Sequence, residues 1–235
     1  MNKKSLSLLS IAITIQLLAS LSTGIASAYP DTIREKTFIT YYGNPIGTPG
    51  TDSYNVYAYS GIRWPIGTNN IIYYINLKGA PTGAAAAVEA AFETWDQQIG
   101  DTLFNDNVGT VTKETGNKYD GKNVVSWGRL GRGIIAQTTV WYSSKTGAIV
   151  EFGMVLNTAY KWGIDPDGEG TVYTLTNAFD VQDIVTHEAG HTLMLDDLYM
   201  SGASQLTMYG YGSEGLTYAI SLGIGDVSGI RAIYP

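Results

Sequence analysis

Phe179-Asp180-Val181-Gln182-Asp183-Ile184-Val185-Thr186-His187-Glu188-Ala189-Gly190-His191 is the stretch on which the reading of this chain turns. Asp180 suits a helix N-cap, and Asp183 adds negative charge to the first turn, so a helix is expected to begin after Asp180. On that helix His187 and His191 occupy positions i and i+4, about 5–6 Å apart on one face, close enough to hold one metal ion. Glu188 lies about 100° further around the axis, beside the ligands, where a carboxylate can take a proton from water activated by the metal. The plain alternative is a surface helix carrying these residues by chance. Against it, these are the only two histidines among 235 residues, and there is no cysteine. A catalytic zinc ion takes three protein ligands. The third must therefore be a carboxylate, and Asp196 and Asp197 follow directly, provided the chain turns back just after Leu193.

Working outward, composition bounds the rest. A hydrophobic fraction of 44% over 235 residues is enough for one core and too high for a disordered chain. The absence of cysteine excludes disulfide staples, thiolate metal sites, iron–sulfur clusters and thiol nucleophiles. A net charge of −7 argues against nucleic acid as a partner. At the N-terminus, Asn2-Lys3-Lys4 precedes an apolar run from Leu6 to Ile25 and the small-residue site Ala26-Ser27-Ala28. This is a signal peptide pattern over 1–28, with Tyr29 as the mature start and a secreted, extracellular location. A retained membrane anchor is the alternative. Removal leaves 12 basic against 21 acidic residues, a net −9. Nothing later in the chain is apolar enough to span a membrane, so no stable membrane partner is expected after cleavage.

Residues 29–61, rich in Gly, Pro, Thr, Asn and Tyr, read as a loosely structured lead-in or short pro-segment. Ile71-Ile72-Tyr73-Tyr74-Ile75 predicts a buried strand. A helix is predicted from Pro81 to Ile99, with Ala84, Val88, Ala91, Phe92, Trp95 and Ile99 on one apolar stripe. Strands are predicted at 124–127, 134–142 and 148–156, the last two joined by a turn at Ser143-Ser144-Lys145-Thr146-Gly147. A long loop spans 157–179, and a final helix spans 226–233. This order suits one α+β domain whose mixed sheet packs against helices.

His187-Glu188-x-x-His191 with a ligand six residues further on, at Asp197, resembles the zinc signature of the metzincin metallopeptidases, most closely the matrixin type in its variant with Asp as third ligand. Leu206-Thr207-Met208-Tyr209-Gly210 resembles that family's methionine turn, and 225–234 its last helix. Arg63-Trp64-Pro65 and Ala90-Ala91-Phe92-Glu93-Thr94-Trp95 look like its opening segment and first helix. The resemblance covers about residues 62–234. It implies a matrixin-like catalytic domain over 62–235, with a twisted mixed sheet, an active-site helix, a methionine turn and a C-terminal helix. It implies a secreted zinc-dependent endopeptidase acting as a monomer on an extended peptide or protein. Zinc is held by His187, His191 and Asp197; Glu188 is the general base; Met208 supports the site from below; Tyr209 and Tyr211 line the specificity pocket; and 148–156 is the edge strand that pairs with substrate.

Two departures accompany the likeness. Where the family has glycine three residues after the second histidine, this chain has Met194, so either a left-handed residue is strained there or the turn is built differently, which would leave Asp196 in competition with Asp197. With no cysteine, latency through a pro-segment thiol is impossible. Elsewhere, Asp165, Asp167 and Glu169 alternate as in calcium loops, although Thr176 stands where an EF-hand would place its bidentate glutamate, and a solvated acidic loop is the other reading. Gly128-Arg129-Leu130-Gly131-Arg132-Gly133 reads as a turn, not as a phosphate loop. A non-catalytic secreted binding module on a degenerate peptidase fold is the rival to the enzyme.

Overall fold

The computed structural model describes residues 31–43, 54–100, 102–166, 168–169 and 175–235. The signal segment, its cleavage site and Asp167 lie outside the described residues. One compact unit, Asp31–Pro235, holds all the elements described below.

Its centre is a seven-stranded mixed sheet. Three parallel strands form one side: β2 (Tyr73–Asn76), β4 (Asn123–Gly128) and β6 (Ile149–Asn157), with the short β3 (Gly109–Thr110) beside β2. β5 (Ile134–Ser143) returns antiparallel along β6 through the 144–148 turn, where Gly147 takes a left-handed conformation. β1 (Ile33–Tyr42) then pairs antiparallel with β5, and the two-residue β9 (Tyr211–Gly212) pairs parallel with β1, giving the order β3-β2-β4-β6-β5-β1-β9. A separate pair joins β7 (Trp162–Gly163) to β8 (Phe179–Asp180).

Three helices accompany the sheet, a mixed arrangement of the α+β kind. α1 (Ala84–Asp96) follows Gly83, whose φ of 87° needs a residue without Cβ, and buries Ala84, Val88, Ala91, Phe92 and Trp95. These recur at three- and four-residue steps, which makes one continuous apolar stripe. That stripe meets a cluster of rings from the sheet side: Phe92 lies 4.6 Å from Phe104 and 4.4 Å from Tyr73 between centroids. α2 (Val181–Thr192) packs on α1, and Trp95 Nε1 donates to the Thr186 carbonyl at 2.8 Å, which pins the two helices together. α3 (Ile224–Ile233) closes the chain. No helix among the described residues is long and apolar enough to cross a membrane.

Two expectations are corrected. The loosely structured lead-in is instead, over Ile33–Tyr42, a ten-residue strand in register with β5 from Ile33↔Ser143 to Tyr41↔Ile134. Thr37-Phe38-Ile39-Thr40-Tyr41-Tyr42 is itself a β-branched and aromatic run, hidden in composition by the glycines and prolines after it. The described sheet therefore includes Ile33–Tyr42, ahead of the domain start expected at residue 62. The supposed edge strand at 148–156 is interior, since β6 sits between β4 and β5. Its near-continuous burial, with only Val150 exposed, reflects two occupied flanks.

Candidate metal centre

α2 starts as the sequence requires: the Asp180 side chain accepts the Asp183 N–H at 2.8 Å, closing an N-cap. Asp183 is buried inside the first turn and accepts the Ala219 N–H at 2.7 Å; burial pushes its carboxyl up to about 8. One turn further on, His187 and His191 project from the same face, and their Nε2 atoms lie 3.0 Å apart. Each ring is fixed from behind. His187 Nδ1 is 2.6 Å from the Thr207 carbonyl, and His191 Nδ1 is 2.8 Å from the Leu195 carbonyl. A carbonyl can only accept, so Nδ1 carries a proton in both rings, which leaves the Nε2 atoms to take a metal ion or, without one, a second proton.

The helix ends where the third group must come back. Met194 adopts φ 68°, its N–H bonding the His191 carbonyl at 2.9 Å while Leu195 N–H bonds the Gly190 carbonyl at 3.1 Å. These are the two bonds of a Schellman turn, built on a non-glycine residue at a cost of about 1–2 kcal/mol. Of the two alternatives raised by Met194, the structure takes the strained one. The Met194 side chain is fully buried, and that packing offsets the strain. The reversal separates the two acids. Asp196 turns outward into an ion pair with Lys36, whereas Asp197 Oδ1 reaches 3.3 Å from His187 Nε2 and 3.4 Å from His191 Nε2. The other Asp197 oxygen accepts from the Tyr199 hydroxyl at 3.2 Å. Gly210 makes room here, because a Cβ on it would stand 2.5 Å from the Tyr199 ring and 3.1 Å from Asp197 Oδ1.

His187, His191 and Asp197 form a group able to hold a metal, the only one of three or more such residues found among the described residues. A tetrahedral zinc ion with ligand bonds near 2.0–2.1 Å has ligand–ligand edges of about 3.3 Å. The observed edges of 3.0, 3.3 and 3.4 Å fit that figure. Buried Asp197 Oδ1 has no well-formed hydrogen bond, which also suits a cation at the centre of the triangle. Without metal, a proton must serve. Burial opposes charge on His187, but the Asp197 carboxylate, with Glu188 nearby, outweighs it and pushes His187 up to about 9. Burial likewise opposes charge on Asp197, yet the two imidazoles hold its carboxyl far below the usual range.

Glu188 is fully buried beside this triangle. Its Oε1 accepts from the Thr40 hydroxyl at 2.7 Å, and its Oε2 accepts from the Thr138 hydroxyl. β1 therefore lies against the centre: Thr40 on Glu188, Phe38 stacked on His191 at 4.2 Å and 7°, and Lys36 on Asp196. Below, Met208 Sδ would stand 2.3 Å from a Cβ on Gly190, and Trp95 Cζ2 2.7 Å from it, so the glycine lets both reach the helix backbone. Asp226, at the start of α3, accepts the N–H groups of Thr207, Met208 and Gly223 at 2.8, 3.1 and 2.9 Å and so fixes this turn.

Tyr209 is buried and Tyr211 half-exposed; with His187, Leu206 and Thr40 they line a cavity of about 20 Å³. Of the acidic loop, Asp165 N–H bonds the Asp180 carboxylate at 2.7 Å, and Glu169 accepts from Ser221 at 2.9 Å. Sequence reading missed Thr40, Thr138, Tyr199 and Asp226. All but Tyr199, two residues from Asp197, act across a long separation in sequence, and only the Thr-rich pattern of β1 offered a signal. No protein-family model matches the chain, and neither does any curated protein with which it was compared.

Proposed function

We propose that the chain is a secreted zinc-dependent endopeptidase of the matrixin type within the metzincins, with zinc held by His187, His191 and Asp197. The observation that carries this reading is the convergence of two imidazole Nε2 atoms, each ring fixed through Nδ1, and a buried, unsatisfied carboxylate oxygen, with Glu188 beside them. When bound, zinc supplies Lewis acidity for activating water and polarising a carbonyl. Glu188 takes the proton of the attacking water and returns it to the leaving amide nitrogen. Thr138 orients the Glu188 carboxylate, the Thr207 and Leu195 carbonyls fix the imidazole tautomers, and Tyr199 aims Asp197. Asp226, Met208 and Gly190 form the packed floor that keeps the two histidines at ligand spacing.

The test measures zinc content and peptide hydrolysis together, in the unaltered chain and in Glu188→Gln, with the chain's own N-terminal segment included among the substrates. One zinc per chain in both proteins, with hydrolysis only in the first, supports the enzyme. Protein that binds zinc but cuts nothing favours the non-catalytic binding module, and protein that binds none overturns the metal site itself.

A further inference from the structure

Resting on the peptidase reading, we propose that β1 is a tethered substrate of this centre, and that the chain cuts its own bond between Ile39 and Thr40.

Peptides that bind by strand addition take main-chain bonds from a sheet edge and present alternate side chains to pockets. β1 meets both conditions. It runs antiparallel to β5 on one side and parallel to β9 on the other, with Tyr41 N–H on the Gly210 carbonyl at 3.4 Å, Tyr42 N–H on the Gly133 carbonyl at 2.8 Å and Gly43 N–H on the Gly212 carbonyl at 3.1 Å. Alternate residues Lys36, Phe38 and Thr40 face the centre, meeting Asp196, His191 and Glu188 in turn. Without β1, the groove between β5 and β9 is an open slot beside the metal-binding group.

The register selects one bond. Phe38 covers His191, while Thr40 lies on the general base and lines the 20 Å³ cavity with His187 and Tyr209. Between these two side chains lie the Phe38–Ile39 and Ile39–Thr40 bonds, and the second belongs to the residue whose hydroxyl bonds Glu188, so Ile39–Thr40 is the bond assigned. In hydrolysis, water oxygen adds to the Ile39 carbonyl carbon and one water proton passes to Glu188. That proton moves to the Thr40 nitrogen and the C–N bond breaks; the remaining hydroxyl proton follows to the same nitrogen, so Ile39 carboxylate and a protonated Thr40 amino terminus are the products. The same contacts define the preferred substrate: an extended segment with an aromatic residue two positions before the cut bond. A residue no larger than threonine or valine follows that bond, because the cavity leaves room for about one water beyond Thr40.

The experiment begins with full chain prepared in chelator, given one equivalent of zinc and followed by intact-mass spectrometry. The expected result is a product beginning at Thr40, formed at a rate independent of protein concentration, absent in Glu188→Gln and absent in Thr40→Arg, whose side chain the cavity cannot hold. A binding measurement independent of turnover uses metal-free Glu188→Gln and a labelled peptide of sequence Ile33–Tyr42. Glu188→Gln with intact β1 is expected to bind it at least tenfold more weakly than the same protein carrying Lys36→Glu and Phe38→Ser. Cutting of added peptides by unaltered chain whose Ile39–Thr40 bond stays intact overturns this proposal and leaves the peptidase standing, as does equal peptide binding by both proteins. Zinc-loaded chain that cuts neither itself nor any added peptide overturns both.

Discussion

α2 and β1 meet at Glu188 from opposite sides, and they are held there in opposite ways. α2 is anchored within its own neighbourhood: the Asp180 cap, the Schellman turn at Met194, the Trp95 bond to Thr186 and the Met208 contact at Gly190. β1 is anchored by partners distant in sequence: the ladder to β5, two residues of β9, and the three contacts of Lys36, Phe38 and Thr40. The helix cannot leave the centre without losing the core, whereas the strand gives that core only Phe38. On the cleavage proposal these are a permanent and a detachable part of one site, told apart by what holds them.

The expected largest effect falls on the permanent part. Glu188→Gln should lower hydrolysis by about 10²–10⁴-fold while zinc stoichiometry stays the same, since only the proton acceptor is lost. Asp226→Ala strands three buried N–H groups under the site and should cost about 3 kcal/mol or more in denaturant unfolding. Gly190→Ala drives a methyl group into Met208 and Trp95. It should cost about 1–3 kcal/mol and weaken zinc binding, read by melting and by chelator competition. On the detachable part the expected effect is smallest: Lys36→Met removes a part-exposed ion pair and should change unfolding stability by under about 1 kcal/mol. If Lys36→Met instead costs as much as Gly190→Ala, β1 belongs to the permanent part and the contrast fails.

Acidity sharpens the same contrast. In metal-free protein His187 is raised to about 9, above its unfolded value near 6.5. Its contribution to stability is therefore complete below about pH 6.5 and lost as pH rises through 9. Zinc displaces that proton, so zinc affinity should rise about tenfold per pH unit across this window and level off above it. Calorimetric titrations at several pH values measure it directly, and a flat affinity would show that no proton is released.

The helix end of this site was legible because its determinants are local. The i, i+4 histidines, Asp180 as cap, and the need for an oxygen ligand after Leu193 all act within a few turns of chain. Asp197 rather than Asp196 was resolved by the turn geometry at Met194, which depends on burial of the methionine side chain. β1 was not legible in the same way. Its residues favour a strand, but which strand it joins is fixed by β5, about a hundred residues later. The interior place of β6 escaped for the same reason, since edge and centre differ only in what lies alongside. Tyr199 acts through one bond to Asp197 and Asp226 through three, to the N–H groups of Thr207, Met208 and Gly223, and nothing in their immediate sequence marks them.

The ladder between β1 and β5 has one more consequence. Ile134–Ser143 contains ten residues, none charged and none proline, with Ile, Thr, Val, Trp and Tyr predominating. Stripped of β1, it becomes a long bare sheet margin, the kind that recruits strands from other molecules and seeds insoluble assemblies. β1 thus acts as a dust cover for the whole protein. Were β1 shed as proposed, the groove beside the metal-binding group would open and, in the same act, a limit would be set on how concentrated the opened protein can become before its molecules stick to one another.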